Sequence, residues 1–307
     1  MLEFLYHIDL PAHARPDGFD HAAVHGGRRR LYVAHTANDA LDVIDCATQT
    51  YVRSIPDLTG VAGALVSEEH DLVFTSNRGE DTIGIVSPER DEVLAKVAVG
   101  VKPNGLAYDP RRRLLLAANV GDPSRPGSFT VSMVDVAQRN VIANVPVAGR
   151  TRWTIFDPET DCFYVNIADP PLIAVIEASA PAKVARSFSV PAAGPHGLDL
   201  DPTERWLFCA CDGKRLIALG PRSGVVIDNI EIAGVPDVVF FNPRRRRLYV
   251  AIGDPGVIEV LETTPLRRRH VVTTEPGAHT TAFNPASETI YVFLPHTHRA
   301  AVYRDRP

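Results

Sequence analysis

The chain has 307 residues, 45% of them apolar, and a formal net charge of -5, which supplies a sizeable core and gives no electrostatic footprint for nucleic acid. No apolar run reaches the ~18 residues a membrane span needs, and MLEFLYHIDLPAH at the start lacks a basic segment followed by a long apolar one. A cytoplasmic chain with no membrane partner is therefore expected, its four cysteines, Cys46, Cys162, Cys209 and Cys211, serving as reduced packing residues rather than a disulfide framework.

Taken in order, the chain repeats one unit. Leu2 to Leu10 is a single apolar strand, followed by HAAVHGGRRRLYVAH, DALDVID and TYVRSI from His21 onward. AGALVSEEHDLVFTSN, DTIGIV and VLAKVAV come next, then NGLAYDPRRRLLLAAN, FTVSMVDV and VIANVPV. RWTIFDPETDCFYVNI, HGLDLDPTERWLFCAC and DVVFFNPRRRRLYVAI open the fourth, fifth and sixth units, and HTTAFNPASETIYVFL opens an incomplete seventh that has only RAAVYR after it. Each unit holds short runs rich in Val, Ile, Leu and aromatics bounded by Gly, Pro, Asn and Asp, the signature of consecutive antiparallel strands. A period of roughly 40 to 50 residues marks stacked supersecondary units.

The seventh unit lacks its fourth strand, and Leu2 to Leu10 can supply it. Closing a ring with strands from both ends removes an open sheet edge. The expectation is an all-β, seven-bladed β-propeller with four antiparallel strands per blade, a single domain over 1–307 in which blade 7 combines 1–12 with 278–307. A closed ring needs no partner for stability, so a monomer is expected. Three of the arginine clusters, Arg28–Arg30, Arg111–Arg113 and Arg244–Arg247, fall in corresponding turns and read as solvated faces.

The second strands LYVAH, LVFTSN, LLLAAN, FYVNI, LYVAI and IYVFL resemble the YVTN motif of YVTN-type seven-bladed β-propellers, a group overlapping lactonase-like and streptogramin lyase-like propellers. The resemblance spans essentially the whole chain. It implies the fold, and it points to ring-opening chemistry.

The inner strand of each blade lines the channel, and the residue at its start faces the axis. In blade order these residues are His21, Ala62, Asn104, Arg152, His196, Asp237 and His279. Because blades 5, 6, 7 and 1 are neighbours, His196, Asp237, His279 and His21 form one arc, a donor set suited to a divalent transition metal, zinc first, with copper, iron or manganese as alternatives. Arg152 and Asn104 opposite suit an anionic or carbonyl-bearing small molecule. Trp153 can wall the channel or pack between blades. Loops after the second strands add His35, Asn38, Asn77, Arg78, Asn119, Asn166, Asp212, His296 and His298, among them Asn77 and Asn119 as substrate contacts and His296 or His35 as a proton shuttle.

These residues lead to one expectation: a metal-dependent hydrolase or lyase acting on a lactone-like anionic substrate. A non-catalytic binding or scaffold propeller and a copper or iron redox enzyme stand as alternatives. No GxSxG elbow, phosphate-binding loop or dinucleotide fingerprint is present.

Overall fold

The structure is a computed structural model that describes residues 1–16 and 18–307. It contains seven separate four-stranded sheets, each antiparallel throughout. Six are built from consecutive strands, and the seventh has the order Leu2–Asp9, Arg299–Asp305, Thr289–Leu294, Thr281–Asn284. The N-terminal strand is thus the outer edge of blade 7, pairing from Leu2 with Asp305 to Asp9 with Arg299. Among the described residues no helix is long and apolar enough to cross a membrane.

Strand composition follows position in the blade. The second strands Leu114–Asn119, Cys162–Ile167 and Thr289–Leu294 are buried at every residue, because both faces pack against neighbouring sheets. They therefore read as continuous apolar runs. Outer strands such as Asn140–Pro146 alternate, one face on the next blade and one in water. The three cysteines in second strands are buried, and all four are free.

The arginine-rich turns are not simply solvated. The residue before each second strand, Arg29, Asp71, Arg113, Asp161, Arg205, Arg246 and Glu288, has a left-handed backbone with φ between 51° and 59°. Six of these side chains bond to a neighbouring blade. Asp71 meets Arg28, Arg113 meets His70, and Asp161 receives Arg111 and Arg112. Arg205 reaches Asp157, Arg246 reaches Glu204 and Glu288 receives Arg245. A repeated turn geometry thus aims a charged side chain sideways, and the clusters form a belt from blade 1 to blade 7.

Inner strands carry a second repeated device. Register breaks fall between Val61 and Gly63, Pro103 and Leu106, Thr151 and Thr154, Pro195 and Gly197, and Pro236 and Val239. Each break encloses an axial residue: Ala62, Asn104, Arg152, His196 or Asp237. A bulge releases a residue from the ladder and re-aims its side chain, so four of these breaks turn the polar groups of Asn104, Arg152, His196 and Asp237 into the channel mouth. Glycine then permits close approach of the next blade: a Cβ on Gly105 would lie 2.5 Å from the Arg152 carbonyl, and one on Gly197 2.3 Å from that of Asp237.

Candidate functional site at the channel mouth

Asn104, Arg152, His196, Asp237 and His279 line one cavity of about 580 Å³ at the channel mouth, together with Asp20, Arg78, Lys102 and Arg150. Four fixed cations therefore face two carboxylates, although the chain as a whole is acidic. A cleft lined mainly by one sign concentrates ligands of the other.

His196 is the centre of the bonding. Its Nδ1 lies 2.7 Å from Asp212 Oδ1, its Nε2 3.3 Å from Asp237 Oδ1, and Arg152 Nη1 is 3.2 Å from the same Nε2. Burial opposes a charged imidazole, but Asp237 and Asp212 outweigh it and hold the pKa up to about 9. Burial likewise opposes the Asp237 carboxylate, and the charge of His196 and its bond to it win, holding that carboxyl well below its usual range. Burial draws the Arg152 pKa down, with Arg150 adding to it, while Asp212 Oδ2 lies 3.5 Å from its Nη2.

On the other side, Arg78 Nη2 donates to Asn104 Oδ1 at 2.8 Å and to Asp20 Oδ2 at 3.1 Å. Asn104 thus presents its carbonyl to Arg78. His279 Nε2 stands 3.7 Å from Asp237 Oδ2 and a third of its side chain is open to the cavity.

His21 closes the floor. It is buried, its Nε2 is 3.3 Å from Asp20 Oδ1, and its ring lies on Trp153 at a centroid separation of 4.2 Å. Burial lowers its pKa, keeping it neutral. Trp153 also touches Phe240 edge-on, so it serves channel and blade packing together. His196, His279 and Asp237 line the mouth while His21 lies beneath it, and no group of three or more His, Cys, Asp or Glu among the described residues is arranged to hold a metal ion.

The expected outer layer is largely structural. His35 is wholly buried, with Nδ1 2.7 Å from Asp42 Oδ2, and it packs on His13 and Phe19 instead of reaching the mouth. Asn77 is buried between Thr75 and Thr82, and Asn119 donates to Thr130 and Ser132. Neither can meet a substrate, because their amides satisfy polar groups between strands. Asn166 bonds the carbonyls of His196 and Gly197, supporting the site from behind, while Asn38 holds the backbone of Ala12 and Ala14. His296 is exposed in a separate cavity of about 400 Å³ that also holds His13 and His298 and shares His279 with the mouth. Asp20, Lys102 and Arg150 were not read from the sequence. Each lies one or two residues before an axial position, and that offset was the available signal.

No family profile matches the chain and no curated protein matches it in sequence. Solved structures do match. A chain of Kuenenia stuttgartiensis hydrazine synthase superposes with a TM-score of 0.82 at 12% identity, over 96% of this chain and 98% of that one. A chain in a crystal structure of the mitotic checkpoint complex gives 0.83 at 11% identity, over 99% and 94%. Identities this low carry the fold alone, and on strand order and superposition together the chain is a seven-bladed β-propeller.

Proposed function

We propose that the chain is an enzyme acting at the channel mouth on a small anionic, carbonyl-bearing molecule, opening a ring or eliminating a group by acid–base chemistry. The observation that carries this reading is the contiguous set Arg152, His196, Asp237 and His279 inside a cationic cavity. Arg152, with Lys102 and Arg150 lining the same cavity, anchors the anion by charge-assisted hydrogen bonds. His196 is charged at neutral pH and donates a proton to the leaving or ring oxygen. His279, beside Asp237 and open to the cavity, accepts the proton removed from water or carbon.

A metal-dependent form of the reaction would draw on His21, His196, His279 and Asp237, which are not arranged as a metal-holding group among the described residues. Arg152 opposes it, since its guanidinium already occupies the side of His196 Nε2 that a cation would take. A purely binding propeller would use the same cations without turnover.

The test is a panel of anionic lactones and esters assayed with the parent, Arg152→Gln and His279→Ala, beside elemental analysis of each protein. Turnover in the parent, reduced about a hundredfold or more in both variants, with no stoichiometric metal, is the expected result. Turnover that follows bound metal would replace acid–base catalysis with metal catalysis, and tight anion binding without turnover of any panel member would favour the binding role.

A further inference from the structure

Behind the His21–Trp153 pair lies a second cavity, of about 420 Å³, on the opposite side of the floor. His21 lines it while its Nε2 reaches Asp20 of the first, so the stacked pair separates the two. Their chemistry is opposite. Trp153, Phe240, Tyr108 and Phe156 supply aromatic walls, Asp199 is the acid on the inner wall, and Glu68 and Glu69 add two more carboxylates. No lysine or arginine lines it among the described residues.

Asp199 is the informative residue. It is partly buried and takes part in no ion pair among the described residues, its oxygens accepting only the backbone N–H of Leu200 at 2.7 Å and of Phe241 at 2.6 Å. A carboxylate keeps further lone pairs beyond two such bonds, and a desolvated carboxyl without a cation is costly in its charged form. Burial accordingly pushes its pKa up to about 7, against the two N–H bonds and with help from Asp201. An incoming cation would supply the missing partner, and aromatic faces attract the same charge.

We propose that this cavity is a second binding site, for an organic cation: an ammonium group, received by Asp199, on an apolar body received by Trp153 and Phe240. The volume falls within the range of small-molecule sites. The proposal is independent of what the channel mouth does, because the two cavities share no charged residue.

The test is calorimetric titration at pH 8 with benzylamine and with its neutral counterpart benzyl alcohol, using the parent, Asp199→Asn and Ala64→Phe. Ala64 lines the cavity and is small, so phenylalanine there fills it while leaving Asp199 in place. Saturable benzylamine binding, at least about tenfold weaker for benzyl alcohol and for Asp199→Asn and abolished in Ala64→Phe, is the expected outcome. Equal affinity for amine and alcohol, unchanged amine binding in a folded Asp199→Asn, or no saturable amine binding by the parent would overturn it.

Discussion

His196 Nδ1 and Asp212 Oδ1 lie 2.7 Å apart, joining the inner strand of blade 5 to the loop after its second strand. The bond holds Nδ1 on the loop and turns Nε2 toward Asp237 and Arg152 at the cavity wall, the arrangement by which carboxylates orient working histidines.

The first prediction concerns pH. His196 has a folded pKa raised to about 9, so its stabilising contribution is complete below its ordinary value of 6.5 and is lost as pH rises through about 9. Asp237 is depressed, so its contribution is present above the ordinary carboxylate value and disappears as acid protonates it. Thermal unfolding midpoints are expected to be highest between these limits. In Asp212→Asn the His196 proton, followed by NMR, is expected to titrate at lower pH, with a smaller alkaline loss of stability; an unchanged titration would contradict the assigned pairing.

Ring closure provides the second. Asp305 is buried and accepts bonds from Arg247 and from Tyr249 at 2.6 Å, tying blade 6 to the strand that pairs with the N-terminus. Asp305→Ala removes the carboxylate opposite a buried guanidinium, which keeps only the Arg306 carbonyl, and leaves the Tyr249 hydroxyl without its acceptor, a loss of about 3 to 5 kcal/mol. Denaturant unfolding is the measurement, and a change below about 1 kcal/mol would show that the pair is not what holds this junction.

The outer belt gives the opposite expectation. Arg111 and Arg112 meet Asp161 while remaining more than a third exposed, where water screens the attraction. Asp161→Asn is expected to cost about 1 kcal/mol or less in the same unfolding assay. A loss as large as that of Asp305→Ala would mean that the belt acts cooperatively.

Gly197 links backbone to chemistry. A methyl group there meets the Asp237 carbonyl and Val239, so Gly197→Ala must push blade 6 away from His196. The expected result is a folded protein in which the His196 pKa drops toward its ordinary value and anion affinity falls about tenfold. Retention of both would place the axial ring under looser control than the bulges imply.

The blade count, strand order and axial ring were legible because repetition states them many times: apolar runs, turn residues and the offset of the ring residue recur in every unit. The N-terminal strand could be placed because blade 7 visibly lacked one. What local pattern could not give was direction. His35 and Asn119 stand at positions from which a loop can face the mouth, yet backbone and side-chain partners turn them inward. Nor could spacing foretell that Arg152 would stand against His196, a contact made across two blades. Asp199 gives no local signal, because its alternation in HGLDLD is that of an ordinary strand, and only the closed ring shows that it faces an aromatic cavity.

The central claim, that the channel mouth receives a small anion on Arg152, is tested most directly by calorimetric titration of the parent and Arg152→Gln with malonate, succinate and inorganic phosphate at pH 7. The account expects saturable binding of at least one anion by the parent, weakened about tenfold or more in the variant and declining as pH rises through about 9, where His196 loses its charge. Equal affinity in both proteins, or no anion bound by the parent, would contradict it.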